Sequence, residues 1–269
     1  MSWLDRIFHR KRLRREALIG RPFPDDWLRI VRRSVSSYSN LPDDHKRILR
    51  ERIQVFIAEK EFLGIGKLTI TDEIKVTIAA PACLLLIGIP HLGVYPRLRE
   101  VIVYPHDFGE VTEAVGPDGR RYRIPRIRSG EAWRRGPVVL AWNSVQRAVA
   151  HPCDGYNVVF HEFAHVLDMS TGAADGLPPL ETKEQVAVWT SVFDAEFKAF
   201  IAATRSGKPT LLDPYGASEP AEFFAVVTEH FFEQPRQLRR RHPELYEQFS
   251  GFYRQDPAAW KESRTSHWT

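Results

Sequence analysis

The sequence predicts an α+β fold: a helix-rich single domain with a small sheet. Three observations predict it. Most apolar residues recur at helical spacing over stretches of ten or more residues. Only two short stretches, "REVIVYP" at 99–105 and "GPVVLAW" at 136–142, alternate or cluster as β-strands do. The 269 residues carry no internal repeat and no low-complexity linker, which suits one large domain. With 43% hydrophobic and 27% charged residues, the chain has the composition of an ordinary globular protein able to bury a sizeable core. The net charge of +4 is too small to imply nucleic acid by itself. Two cysteines, Cys83 and Cys153, make neither a disulfide framework nor a cysteine-based metal site, and reduced thiols suit a reducing compartment.

In chain order, residues 1–20 form a basic lead and 21–269 the expected domain. The lead has no apolar core segment and no small-residue cleavage site, so it does not read as a secretory signal. Trp3, Leu4, Ile7 and Phe8 share one helical face, with Arg6, Arg10, Lys11, Arg12, Arg14 and Arg15 around and after them. Such a segment either lies on an anionic membrane or is a solvated helix packed loosely on the domain. A helix follows Pro24 and ends near "SYSNLP". "PDDHKRILRERIQVFIAEKEFLG" is a second, with Asp43 and Asp44 at its start and Ile48, Ile53, Val55 and Phe56 as its apolar stripe; Gly64 and Gly66 end it. "GIGKLT" looks like a phosphate loop but lacks the Walker spacing.

The longest uncharged apolar run, "VTIAAPACLLLIGI" at 76–89, has 14 residues where a bilayer span needs about 20. With Pro81 inside it, it reads as a buried core helix or one bent at the proline, and no transmembrane segment is expected. The two strands come next in the chain. Between them "AVGPDGRRYRIPRIRSGEAW", with its Gly-Pro-Asp-Gly turn, is loop or hairpin. Helices are expected at about 155–169, 181–204, 219–234 and 243–253. The loop "RSGKPTLLDPYGASEP" joins the second of these to the third.

The first of these helices carries "NVVFHEFAHVLDMS". Residues four apart share a helix face, so His161 and His165 lie one turn apart and can reach one ion. Glu162 stands beside them, where it can take the proton of a metal-bound water. Val158, Val159, Phe160, Phe163, Ala164, Val166 and Leu167 mark the helix as buried, and buried histidines need partners. Asp168, on the same face, either orients a ligand imidazole or closes the helix in the "DMSTG" turn.

No third histidine follows at a suitable spacing. The candidate third ligand lies on "EPAEFFAVVTEHFFEQP", where Glu222 and Glu229 are two turns apart on one face of an apolar helix. A buried carboxylate needs a charge partner, and Glu222 completes a His₂Glu set with water in the fourth position. Glu229 then stands behind the ligands, or else faces solvent or an arginine. Tyr215, seven residues before Glu222, is either an ordinary loop tyrosine or a donor to a developing oxyanion.

"DGYNVVFHEFAHVLDM" and "DPYGASEPAEFFAVVTEHFFEQP" strongly resemble the Mlc titration factor A family of bacterial zinc metallopeptidases, and the likeness extends over most of the chain, including "SGEAWRRGPVVLAW". Both segments also look like the catalytic domain of anthrax lethal factor, a gluzincin-type peptidase. The resemblance implies a zincin-like metallopeptidase core binding one Zn²⁺ through His161, His165 and Glu222. Glu162 is then the general base and Tyr215 the catalytic tyrosine, with no departure at these five positions. It further implies a cytoplasmic, aminopeptidase-like hydrolase of peptides that binds the glucose-responsive repressor Mlc, and so a link to transcription regulation of the sugar phosphotransferase system. "GPVVLAW" is the expected edge to which substrate adds as a strand, unless it is an interior strand. The competing reading is a repressor-binding module whose zinc site is structural or latent. A third, a membrane-surface or nucleic-acid binder, would use the basic lead and "RQLRRRHPE". The tail at 250–269, with Trp260 and Trp268, is long enough to cover a zinc site.

Overall fold

Val138–Ala141 is buried along its whole length, which suits a strand covered on both faces and paired on both sides. In the computed structural model, which describes residues 3–115, 121–128, 130–132 and 136–260, this strand (β6) lies inside a four-stranded sheet. The order is β1 (Glu61–Gly64), β2 (Glu100–Tyr104), β6 and β5 (Gly130–Ala132). β1, β2 and β6 run parallel, and β5 pairs antiparallel to β6. Of the two readings of "GPVVLAW", edge or interior strand, the edge is corrected and the interior one holds: both its sides are paired, and β1 and β5 are the edges among the described residues. β3 (Phe108–Val115) and β4 (Arg121–Arg128) form a separate antiparallel hairpin; the expected turn at 116–119 lies outside the described residues.

β1 was hidden at the end of a helical pattern. Helix α3 (Asp43–Glu59) stops at its C-cap Lys60, whose buried ammonium donates to the carbonyls of Tyr95 (2.6 Å) and Leu98 (2.8 Å). That anchor pulls the chain out of the helix and alongside β2, so "EFLG" is a strand rather than a last turn. Gly64, its last residue, lets the following turn fold back closely: a Cβ there would sit 2.1 Å from the Leu68 carbonyl oxygen.

Helix α4 (Asp72–Leu84) is capped by the Thr71 side chain, which accepts the Ile74 N–H, and runs through Pro81 with ten of its thirteen residues buried. α2 (Asp25–Ser34) and α3 pack on it. α1 (Trp3–Ile19) rests on α3 through Arg15, bidentate to Glu59 at 2.7 Å for each bond. The side chains of Trp3, Leu4, Ile7 and Phe8, and residue Trp268, lie outside what the structure describes; Trp260 packs on the core. Among the described residues no helix is long and apolar enough to cross a membrane.

The other helices are α5 (Trp142–Ala150), α6 (Val158–Asp168), α7 (Lys183–Arg205), α8 (Pro220–Glu233), α9 (Pro235–Arg241) and α10 (Pro243–Tyr253). α5 and α9 escape the sequence because they are short; α9, "PRQLRRR", buries only Leu238 and so shows no apolar period. α7 starts in a reciprocal capping box between Thr182 and Gln185. Trp189, fully enclosed, stacks on Phe193 and Phe249 and meets Phe224 and Phe252. This aromatic cluster joins α7, α8 and α10 and makes α8 a rigid platform next to α6.

Candidate metal centre

α6 begins at Asn157, whose side-chain oxygen accepts the N–H groups of Val159 (3.1 Å) and Phe160 (3.2 Å). α8 begins with Pro220 in its first turn, where the missing N–H costs nothing. The two helices pack so that His161 and His165 of α6 face Glu222 in the first turn of α8. One donor atom from each of the three lies within 4.8 Å of the others. His161 Nε2 is 3.0 Å from Glu222 Oε2, His165 Nε2 is 3.2 Å from His161 Nε2, and His165 Nε2 is 3.4 Å from Glu222 Oε2.

Three lone-pair donors this close need positive charge among them, either protons or a cation. Burial opposes the imidazolium form of His161, but Glu222 and Glu229 outweigh it and raise its pKa well above the usual range. Burial likewise pushes Glu222 upward, and hydrogen bonds from His161 and His165 overcome this to hold its carboxyl well below the carboxylate range. A tetrahedral shell with bonds of about 2.0–2.1 Å places neighbouring donors about 3.3–3.4 Å apart. The observed triangle is within a few tenths of an ångström of that. Two imidazoles and one carboxylate, partly buried, suit zinc in size and donor chemistry.

Glu229 stands behind His161. One of its oxygens takes His161 Nδ1 at 2.8 Å and the other accepts the backbone N–H of Asn157 at 2.5 Å, with only 3% of the residue exposed. This contact leaves His161 Nε2 facing the donor cluster. Of the two readings of Asp168, its hydrogen bonding follows the one at the helix end and not a bond to an imidazole. Its Oδ2 accepts the Gly176 N–H at 3.0 Å, and its Oδ1 has no hydrogen-bond partner among the described residues. The physical reason is its place at the last turn of α6, where the chain doubles back through Gly172 and brings Gly176 over the carboxylate. Burial pushes the Asp168 carboxyl up to about 6, against the Gly176 hydrogen bond. Gly176 also accepts Trp189 Nε1, so Asp168 ties the loop after α6 to the aromatic core.

Glu162 is 5% exposed and lies under the edge strand. A Cβ on Gly130 would fall 2.4 Å from Glu162 Oε1 and 2.6 Å from Cδ, so with any other residue there the carboxylate or the strand would have to shift. Burial pushes Glu162 up to about 7, with His161 and His165 pulling the other way. Tyr215 sits in a short 3-10 turn, Pro214–Ala217, whose start is held by Asp213 accepting the Tyr215 N–H at 2.8 Å. Its ring centroid is 6.2 Å from that of His161, and the residue is 56% exposed. The loop that carries it is pinned farther back by His230, whose Nε2 donates to the Leu211 carbonyl at 3.0 Å.

His161, His165, Glu222, Glu229, Glu162 and Tyr215 are thus gathered in one place. The sequence reading missed Gly130, Asn157 and Glu233. Glu233 accepts Asn157 Nδ2 (3.0 Å) and the Cys153 N–H (2.6 Å), and burial pushes it up to about 7. Its signal was available: Glu222, Glu229 and Glu233 lie seven and four residues apart, on one helix face. Nothing in the sequence marks Gly130, because what it must avoid comes from another element.

The family of glucose-regulated metallopeptidases, M90, matches residues 9–254 of this chain. An uncharacterized protein of Synechocystis sp. is 38% identical over 95% of this chain and 90% of its own length. Mlc titration factor A of Edwardsiella ictaluri is 35% identical over 81% of this chain and 83% of its own, and that of Pectobacterium atrosepticum 34% identical over 84% and 85%.

Proposed function

The chain belongs to the M90 family of metallopeptidases, and on that premise we propose that it is a zinc-dependent, aminopeptidase-like hydrolase of peptide bonds. The observation that supports this most directly is the convergence of His161, His165 and Glu222 beside a buried glutamate, Glu162. His161, His165 and Glu222 would hold the zinc, which when bound would supply Lewis acidity toward a carbonyl and bring the pKa of water toward 7. Glu162 accepts the proton of the attacking water and delivers it to the departing amine, so protons balance over the cycle. Glu229 holds the His161 ring in place, and the Tyr215 hydroxyl donates to the oxygen on which negative charge develops. β5, the edge strand on the side of Glu162, offers its outer backbone groups to an extended substrate.

Metal removal tests this reading. Dialysis against 1,10-phenanthroline is expected to abolish hydrolysis of aminoacyl and short peptide substrates, and one equivalent of zinc per chain to restore it. Undiminished hydrolysis by the zinc-free protein overturns the proposal. Gly130→Ala tests the geometry around Glu162. The added methyl must push the carboxylate or the strand aside, so kcat should fall by about tenfold or more while zinc stoichiometry stays at one; measurement of both on the same sample decides it.

Relatives named Mlc titration factor A favour a second, compatible role: binding of the repressor Mlc in the cytoplasm, with an effect on sugar phosphotransferase gene expression. In its strongest form this makes the chain a regulatory module whose zinc site is latent. The catalytic reading is preferred because a closed structural site has no use for a buried, unchelating Glu162.

A further inference from the structure

We infer that Asn157 and Glu233 are positioning residues of the metal centre: their hydrogen bond, away from the ion, keeps Glu229 on His161 and thereby sets zinc affinity. The inference rests on the zinc reading above. Asn157 lies one turn before His161, is 5% exposed, and uses every polar atom. Its Oδ1 caps α6, its carbonyl accepts the His161 N–H (3.0 Å), its N–H donates to Glu229, and its Nδ2 donates to Glu233 Oε1.

Glu229 and Glu233 are one turn apart on α8, so Asn157 grips two successive turns of that helix. Glu229 is the shared member. One oxygen holds the backbone of Asn157, and the other holds the ring of His161. A shift of α6 along α8 that breaks the Asn157–Glu233 bond also draws the Glu229 carboxylate off the imidazole. Partners that orient metal-bound histidines from behind typically change metal affinity by about 10–100-fold. Here that role extends one layer farther out, to a pair whose side chains touch neither the ion nor a ligand side chain.

The polarity of the pair is fixed. Oδ1 of Asn157 faces two N–H groups, so only its NH₂ can face Glu233. The other Glu233 oxygen faces the Cys153 N–H, so Glu233 must accept on both sides. Asn157→Asp keeps the helix cap but sets two buried carboxylate oxygens about 3.0 Å apart, a spacing at which both cannot stay ionised. Glu233→Gln alone cannot face an NH₂ and an N–H at once. The double variant N157D/E233Q reverses the polarity: the amide introduced on α8 donates to the carboxylate introduced at the start of α6, and its oxygen still accepts the Cys153 N–H.

Zinc affinity, read by competition with a chromogenic chelator, tests this as a double-mutant cycle. Each single variant is expected to weaken zinc binding by about tenfold or more, and N157D/E233Q to return close to the parent. The d–d absorption of the cobalt-loaded protein, which reports ligand geometry, should shift in the singles and revert in the double. Singles that bind zinc like the parent, or a double as weak as the summed singles, overturn the inference. Should N157D not fold, E233Q decides alone: parent-like affinity in the folded single overturns it. A parent chain that takes up no zinc overturns the metal reading and this inference with it.

Discussion

Glu162→Gln is expected to lower peptide hydrolysis by about 10²–10⁴-fold, the usual contribution of a positioned general base, with zinc still bound at one ion per chain. The amide keeps the size of the side chain, so β5 can still lie over it at Gly130. It cannot accept a proton, and that is the only function removed. None of the three clustered donors comes from Glu162, so the ion has no reason to leave. The measurement pairs steady-state kinetics on a short peptide with zinc content by atomic emission, and adding zinc should restore nothing. Activity within a few fold of the parent would remove Glu162 from the mechanism. Binding of a repressor partner, measured on the same variant, should be unchanged. That separates the hydrolytic role from the regulatory one.

Glu222→Gln should fail in the opposite manner. The two histidines remain, but the anionic ligand between them is lost. Zinc affinity is expected to drop by more than about 100-fold, beyond the range for residues that only orient a ligand. Activity should fall in proportion to occupancy, and millimolar zinc should recover part of it. The contrast in zinc rescue between the two variants distinguishes a ligand from a base without a liganded structure. Isothermal titration with zinc gives the affinities directly. If E222Q holds zinc as tightly as the parent, Glu222 is no ligand and the third donor must be sought elsewhere.

How much of this was legible beforehand follows from the range of each interaction. His161, Glu162 and His165 were readable together because they lie within about one turn of a single helix, whose geometry the spacing alone fixes. Glu222 and Glu229 were readable as a pair on one face of α8 for the same reason. Asp168 shows the limit of that reasoning. It shares the face of the histidines, yet its carboxylate turns to Gly176, because the loop that follows α6 supplies a nearer N–H. The strand at 61–64 and the helix at 142–150 were lost for another reason. Segments of four and nine residues hold too little periodicity to stand out from their neighbours.

The sequence by itself determined the helix-rich fold class, the pairing of two histidines with a glutamate on one helix, and a second helix with acidic residues on a single face. All of these are local, since they depend on a rise and turn per residue that any helix repeats. Only the tertiary structure decided that α8 brings Glu222 to within 3.0 Å of His161, and that β6 is an interior strand with β5 outside it. It also decided that Gly130 lies against the Glu162 carboxylate and that Asn157 holds two glutamates at once. Those facts join residues tens of positions apart. They are set by how whole elements pack, and no spacing along the chain encodes them.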